Sequence, residues 1–408
     1  MGAARASEVQ YGGAMARLLD RSSPAALSHP GLRLGALLLA AFAGCAPPAD
    51  EEPVVERYDT LAEAERLAEQ SWDRWDPADL SFDWSQAVLA WGIQRAFDAS
   101  GTPRHQDYYR TWLDAGLAER FDAPDAQPFR SSDSMSPSIL ASLATAEGAG
   151  DYAPILGAAE EYLAGARRTD EGGAIVHWGP EHPFGGPRQV WIDSMFMIGM
   201  YLLAEGDRTG EAMYADRWVT QADGTRLHCM TADDLYLHAW DDDDGLNIPV
   251  EPVYWARGNS WVLVSAAEAV ARGVDWQEGY VAHARALVDA QQPSGRWLTV
   301  LNGPPQDGLN YEETSATALI AYGLSVGLEA GALDRAEFGP ALDRAVQGIL
   351  ERVVVEEDGH HTVMGTSLGT NPGGYDNYVS IATLPDQLVG VGAVIALLAQ
   401  VQGTEISR

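Results

Sequence analysis

The 408-residue sequence contains no lysine, so each of its 26 basic side chains is an arginine. Against them stand 59 aspartates and glutamates, which give a formal net charge of -33. A surface this acidic repels phosphate backbones and anionic lipid headgroups. We therefore expect no nucleic-acid partner, and any anionic ligand must meet a local arginine.

Cysteine is also scarce, with Cys45 and Cys229 as the only two residues of this type. Because Cys45 lies in a lipidation context described below, Cys229 is left without an intramolecular partner and no disulfide framework is expected. The histidines show no HExxH spacing and no pairing with Cys-x-x-Cys, which argues against zinc. We predict neither a metal ion nor a cofactor.

An acidic run at residues 241–244 is followed by Gly245 and suggests a calcium loop. In the EF-hand register, however, the first ligand position falls on Trp240, which offers no oxygen ligand. The better interpretation of this run is a solvated acidic turn.

No apolar run is long enough to span a bilayer as a permanent helix. The run at residues 34–42 has the length of a secretory h-region, and the small residues that follow it precede Cys45, as in a bacterial lipobox. The sequence predicts a lipoprotein-type signal peptide at 1–44, a tether at 45–58 and one folded domain at 59–408. The protein would then be exported and held at the membrane only by lipid on Cys45, on the periplasmic or cell surface. The alternative is a chance apolar stretch before a cysteine.

Helical periodicity dominates the rest of the chain. Apolar residues recur at i, i+3, i+4 and i+7 in twelve segments, which predicts twelve helices. These segments are 60–76, 84–99, 105–121, 136–149, 152–168, 193–205, 210–222, 258–272, 277–291, 312–330, 340–354 and 385–400. Some of them, such as 315–327, are apolar on more than one face, whereas 60–76 has a single apolar stripe. Alternating inner and outer helices predict an all-α fold, a six-hairpin (α/α)6 barrel; an α-solenoid or two bundles are the alternatives.

Three long loops, 170–192, 223–258 and 292–311, are rich in polar and aromatic residues. The hairpins of such a barrel bring one set of loops to a common mouth, so the chemistry is expected there. The first loop carries His182 and Arg188 and ends immediately before Asp193 at the start of a helix. The alternative role of Asp193 is to stabilise the first turn of that helix through the helix dipole.

The second loop ends in a set of residues that suits a sugar carboxylate. Trp255 and Trp261 offer aromatic faces, and Arg257 offers a planar cation for paired hydrogen bonds. Core packing is the alternative for the two tryptophans. A further candidate, Asp133 in the segment SSDSMSPSIL, precedes a helix closely enough that Asp133 or Ser134 could simply be its cap.

Taken together, these segments resemble a known family. The runs WIDSMFM, LYLHAWD, WARGNSWV, DSMSPS and YEETSATALIAYG are similar to those of the unsaturated rhamnogalacturonyl hydrolases of glycoside hydrolase family 105, relatives of the unsaturated glucuronyl hydrolases of family 88. The resemblance extends from about residue 83 to residue 401. It implies a six-hairpin α/α barrel and makes 59–408 a catalytic domain.

The resemblance also implies roles for individual residues. Asp193 matches the general acid/base, and Asp133 matches a second acidic residue that faces it. The residues implied to contact substrate are His182, His238, Trp255, Arg257 and Trp261, together with Arg188 from the same loop as His182. Ser194 departs from the pattern, since an aspartate commonly follows the catalytic one.

The implied reaction is removal of a 4,5-unsaturated uronic acid, with galacturonyl favoured, from the non-reducing end of oligosaccharides that lyases have generated. Protonation at C4 and hydration at C5 would drive it. Two other classes stay open: a non-catalytic surface glycan-binding lipoprotein, and another sugar enzyme built on an α/α toroid. The aglycone sugar and the oligomeric state are left undetermined.

Overall fold

Helices make up most of the chain that the computed structural model describes, which comprises residues 58–121, 129–179, 186–304 and 308–403. All of these residues belong to one compact unit, Val55–Arg408. The predicted signal peptide, Cys45, nearly all of the tether and His182 lie outside the described residues. Within the described ranges, no helix is both long enough and apolar enough to cross a membrane.

Twelve helices of ten or more residues occur in the described ranges, and each overlaps one of the twelve predicted segments. Three shorter helices and a 3-10 turn, Pro77–Asp79, lie between them. The helices are α1 Thr60–Arg74, α2 Trp84–Ser100, α3 Pro103–Arg120, α4 Ser132–Met135, α5 Pro137–Ala146, α6 Ala153–Gly165, α7 Ser194–Met197, α8 Gly199–Thr209, α9 Met213–Cys229, α10 Ala256–Ala271, α11 Gln277–Asp289, α12 Thr314–Glu329, α13 Arg335–Leu350, α14 Tyr375–Val379 and α15 Leu388–Gln400.

The long helices alternate between an inner and an outer ring. The inner ring consists of α2, α5, α8, α10, α12 and α15, each packed against the next, and α15 returns to α2 to close it. Helices α12 and α15 are buried along nearly their whole length, whereas α1 buries one side only. The predicted (α/α)6 barrel is therefore confirmed, and the apolar inner helices are what the core requires.

The closing contact of the inner ring depends on two glycines. A Cβ atom added to Gly92 of α2 would lie 2.1 Å from the carbonyl oxygen of Gly392 in α15. Only glycine allows the two backbones to approach this closely. The ring closes through direct backbone packing at this point.

Short strands appear only in the connections. β1 Gln189–Trp191, β2 Ala239–Asp241 and β3 Leu246–Ile248 form an antiparallel sheet in that order. Two further antiparallel pairs follow: β4 Val353–Val355 with β5 His361–Val363, and β6 Thr366–Ser367 with β7 Thr383–Leu384. The first sheet ties the loop before α7 to the loop before α10, so residues from both loops are held at the same end of the barrel.

Candidate active site

A pocket of about 130 Å³ lies where the inner helices begin. Its wall includes the first residue of α2, the turn before α5, the residue before α7, the start of α10 and the loop before α14. The lining residues are Trp84, Asp133, Trp191, Asp193, Trp255, Arg257, Trp261, Gly369, Thr370 and Asn371. Five of the residues selected from the sequence are therefore brought together, although they are spread over more than a hundred positions.

Asp133 faces this pocket because another residue caps its helix. The hydroxyl of Ser131 accepts a hydrogen bond from the Ser134 backbone N–H, and the Ser134 side chain accepts one from the Ser131 N–H. This reciprocal arrangement is a capping box. Ser134 thus takes part in the cap of α4, whereas the predicted helix at 136–149, observed as α5, has no side-chain cap from either Asp133 or Ser134.

The surroundings of Asp133 favour its neutral form. Its side chain keeps 29% of its surface exposed, and one carboxylate oxygen lies 4.0 Å from Nε2 of His177. Burial in the pocket, followed by the charges of Asp193 and Asp83, raises the pKa of Asp133 well above its usual range. Two carboxylates that share a site cannot both ionise at their ordinary pH.

We expect Asp133→Asn to stabilise the protein at pH 7. In the unfolded chain this carboxyl loses its proton near pH 3.9. In the folded protein its pKa is raised, so the wild type loses stability as the pH rises from that value through the folded-state pKa. Asparagine carries no such charge, and a melting temperature higher by about 1 to 3 °C follows.

Thermal unfolding of both proteins between pH 3 and pH 8 checks this prediction. The difference between them must shrink as the pH falls and vanish below about pH 3.9. A variant that is less stable than the wild type at pH 7, and less stable by the same amount at pH 3, would contradict the assigned pKa shift.

Asp193 directly precedes α7, yet its side chain makes no capping hydrogen bond. One carboxylate oxygen, Oδ2, lies 3.1 Å from Nε2 of His238. The side chain is 12% exposed, so it reaches the pocket and also contacts the buried His238. The side chain therefore adds no capping hydrogen bond to α7, and its place directly before the helix leaves the alternative role through the helix dipole open.

Aromatic rings hold the histidines behind the pocket in place. The ring of His177 stacks on Trp191 with centroids 3.8 Å apart and planes 7° apart. His238 stacks on Trp255 with centroids 4.3 Å apart. Trp261 packs against Phe196 of α7 at 4.7 Å. Trp255 and Trp261 therefore belong to hydrophobic clusters and also line the pocket. For these two residues, core packing and a pocket position do not exclude each other.

Arg257 reaches the pocket, but most of its hydrogen-bonding groups are already occupied. Nη1 donates to the Ser367 hydroxyl at 2.7 Å and to the Ser367 carbonyl at 3.0 Å, and Nη2 donates to the Leu368 carbonyl at 2.7 Å. The carboxylate of Glu313 lies 3.6 Å away and is fully buried. The guanidinium therefore fixes the loop after β6 and is paired with a buried anion.

Two of the predicted substrate contacts take other positions. His238 is completely buried and absent from the pocket lining, so it touches Asp193 where the sequence analysis expected sugar. Arg188 is bound by the carboxylates of Asp170, at 2.8 Å, and Asp242, at 2.6 Å, outside the lining. Paired acids thus account for Arg188, and a direct substrate contact is not supported for either residue.

The acidic run at 241–244 forms the turn between β2 and β3, as the interpretation of a solvated turn predicts. The Asp241 carboxylate accepts hydrogen bonds from the backbone N–H groups of Asp243 and Asp244. Across residues 58–121, 129–179, 186–304 and 308–403, no group of three or more histidine, cysteine, aspartate or glutamate side chains is arranged to hold a metal ion.

Sequence reasoning missed several residues of the pocket wall. Trp84 opens α2, and residues 369–371 belong to the glycine-rich stretch GTNPGGY before α14. Such a stretch before a short helix is a loop signal that could have identified this wall. Glu313 belongs to the run YEETSATALIAYG, but only the fold shows that it is buried beside Arg257.

A larger cavity of about 530 Å³ lies at the opposite ends of the inner helices. Its lining includes Arg95 and Asp98 near the end of α2, Glu329 at the end of α12 and Gln400 at the end of α15. Among the described residues, its lining includes no aromatic side chain and none of the residues selected from the sequence. The smaller pocket, which combines two carboxylates with four tryptophans, is the better candidate active site.

Comparison with known proteins connects this arrangement to a family. The sequence profile of Glycosyl Hydrolase Family 88 matches residues 54–404. The unsaturated rhamnogalacturonyl hydrolase YesR of Bacillus subtilis (strain 168) is 27% identical over 309 residues, which cover 73% of this chain and 83% of YesR.

Solved structures share the fold at lower identity. A possible member of family 105 from Salmonella enterica superposes with a TM-score of 0.72 at 20% identity, covering 87% of this chain and 98% of that one. The unsaturated glucuronyl hydrolase of Bacillus sp. GL1 gives a TM-score of 0.66 at 19% identity, covering 85% and 96%. The resemblance to the related families 105 and 88 is thus confirmed.

Proposed function

Because the chain belongs to Glycosyl Hydrolase Family 88 and is a glycoside hydrolase, we propose that it removes a 4,5-unsaturated uronic acid, with galacturonyl favoured, from the non-reducing end of lyase-generated oligosaccharides. The similarity to YesR, an unsaturated rhamnogalacturonyl hydrolase, supports the substrate class. The observation that carries the proposal is the presence of Asp133 and Asp193 in one tryptophan-lined pocket. A non-catalytic glycan-binding protein would have no need for the acidic pair.

The substrate is an enol ether conjugated to a carboxylate, so the acid acts at carbon. Transfer of a proton to C4 breaks the C4=C5 double bond and places positive charge on C5 and the ring oxygen. Water adds at C5 and loses a proton to the carboxylate formed in the first step. The resulting hemiketal opens, and the hemiacetal left at C1 expels the aglycone as an alcohol. One water molecule is consumed.

We assign the proton transfer to Asp193. His238 Nε2 lies 3.1 Å from Asp193 Oδ2 and can donate a hydrogen bond to the carboxylate that forms when the proton leaves. Burial, followed by the charge of Asp193, raises the pKa of Asp133. Asp133 then keeps a proton within the pocket while Asp193 cycles between acid and base.

The carboxylate of the sugar needs positive charge in an otherwise acidic protein. Arg257 contributes part of this charge besides its pairing with Glu313, and its guanidinium carbon lies 5.0 Å from the Trp255 ring centroid. Helix starts such as that of α10 add to it. The N-terminal end of a helix carries about half a positive charge. We place the uronate against Arg257 and residues 369–371, with its ring beside the tryptophans.

A panel of lyase-generated unsaturated disaccharides, paired with their saturated counterparts, tests the function. We expect turnover of unsaturated substrates only, and the preferred member identifies the aglycone and the uronate. Cleavage of saturated glycosides alone, or turnover of no member, would overturn the proposal.

We propose further that the protein is exported and anchored by lipid on Cys45. This rests on the apolar run at residues 34–42 and the small residues before Cys45. Replacing Cys45 by alanine is expected to move the protein from the detergent-extracted membrane fraction to the soluble fraction, as immunoblots of fractionated cells would show. Cys229→Ala, which removes the other cysteine, is the control, and unchanged partitioning of Cys45→Ala would contradict the anchor.

A further inference from the structure

His238 lies behind Asp193 in a fully buried position whose two ring nitrogens face different partners. Nε2 is 3.1 Å from Asp193 Oδ2, and Nδ1 is 3.0 Å from the hydroxyl of Tyr378. Stacking on Trp255 restricts rotation of the ring. The protein therefore determines which group each nitrogen meets.

The hydrogen bond between Nδ1 and the Tyr378 hydroxyl can run in either direction, and a third group favours donation by the phenol. The backbone N–H of Gly373 donates to the Tyr378 hydroxyl oxygen at 3.2 Å. That oxygen accepts from Gly373, so its own hydrogen is available to the histidine. Burial, followed by a contribution from the charge of Asp193, raises the pKa of Tyr378, which keeps the phenol protonated.

A neutral imidazole carries one hydrogen, and the hydrogen bond at one nitrogen determines where it resides. When Tyr378 donates to Nδ1, the hydrogen of the ring must lie on Nε2. Neither Nε2 nor Asp193 Oδ2 has another hydrogen-bond partner in the described part of the chain. Their contact lacks the alignment of a full hydrogen bond, as is common before substrate binds.

We propose that Tyr378 is a positioning residue that fixes the Nε2–H form of His238 and thereby holds Asp193 Oδ2, leaving Oδ1 for the substrate. The role in turnover rests on the proposed function of Asp193. When Asp193 gives up its proton, the Nε2–H group faces the new carboxylate. His238 and Tyr378 are 140 positions apart in the sequence and meet only through the fold.

The same segment connects this arrangement to the pocket wall. Gly373 follows residues 369–371 of the wall by two positions and precedes α14, which carries Tyr378. A ligand that contacts the wall therefore contacts the same segment that carries the donor to the phenol. The glycine-rich stretch GTNPGGY therefore forms part of the pocket wall and also supplies the Gly373 N–H that donates to the Tyr378 hydroxyl.

The test combines NMR with kinetics. In ¹⁵N-histidine-labelled protein, with the His238 signals identified by their loss in His238→Gln, we expect the wild type to show a protonated Nε2 and an unprotonated Nδ1. Tyr378→Phe removes one oxygen and should shift His238 toward the Nδ1–H or doubly protonated form. On the best disaccharide of the panel, kcat should fall about 10-fold, by analogy with the loss of a partner that orients a metal-ligating histidine, with KM within about twofold.

Tyr236→Phe is the matched control, because its buried hydroxyl makes no hydrogen bond within the described residues. It should leave the His238 form and kcat unchanged. If His238 of the wild type carries its hydrogen on Nδ1, the proposal is overturned whether or not Tyr378→Phe folds. The proposal is also overturned if Tyr378→Phe folds and His238 keeps the same protonated nitrogen as in the wild type. An Nε2–H wild type whose His238 form shifts in Tyr378→Phe, with no turnover of any panel member, would leave the positioning role standing and refute the proposed function instead.

Discussion

Asp193→Asn is expected to reduce kcat about 100 to 10,000-fold while the protein still folds and binds substrate. Asparagine has nearly the same shape as aspartate but can neither give up nor accept the proton. The side chain makes no capping hydrogen bond, so the change removes no helix cap. Steady-state kinetics on an unsaturated disaccharide, with binding measured separately by calorimetry, checks the result.

Asp334→Asn is a suitable control for this prediction. Asp334 caps α13 in the outer ring, and asparagine caps a helix about as well as aspartate. The control should have wild-type kinetics. If Asp193→Asn consumes the unsaturated disaccharide at the wild-type rate, the assignment of Asp193 as the proton donor is wrong.

Glu313→Gln is expected to lower the free energy of unfolding by about 3 to 5 kcal/mol, because it leaves the buried cation of Arg257 without its partner. The Glu313 carboxylate also accepts hydrogen bonds from the Ser367 and Ala316 backbone N–H groups. Glutamine keeps the size of the side chain but supplies only one acceptor oxygen. The change therefore weakens the start of α12 and the loop beside the pocket together.

The neighbouring residue provides a matched control. Glu312 pairs with Arg296 but is 24% exposed, so water can replace part of what Glu312→Gln removes. Urea unfolding of both variants should show a clearly larger loss for Glu313→Gln. Equal losses, or a change at Glu313 of less than about 0.5 kcal/mol, would show that this pair has no special role.

The inner helices could be predicted because burial on all sides leaves a direct trace in sequence. A segment such as 315–327 is apolar at nearly every turn, and α12 covers it. The close contact between Gly92 and Gly392 left no such trace, because an isolated glycine in a helical pattern has several explanations. Pairwise packing between distant segments is not encoded in local periodicity.

Part of the candidate site could be predicted because some of its residues lie at the starts of helices that the sequence pattern predicts. Asp133 lies before the predicted segment 136–149, and Asp193 begins the predicted segment 193–205. These segments contain α5 and α8 of the inner ring, and the starts of inner helices meet at one mouth. The fate of Arg188 could not be foreseen, because its pairing with Asp170 depends on how two loops fold against each other. Likewise, only the fold shows that His238 is buried against Asp193 and lies outside the pocket lining.

The most direct test of the central claim is to follow two signals in one reaction of the wild type with an unsaturated disaccharide. One signal is the absorbance of the conjugated enol carboxylate, and the other is the free aglycone, measured in quenched samples. Hydration at C5 predicts that the absorbance falls no later than the aglycone appears, at every time point. Aglycone release that precedes the loss of absorbance would mean direct displacement at C1 and would contradict the account.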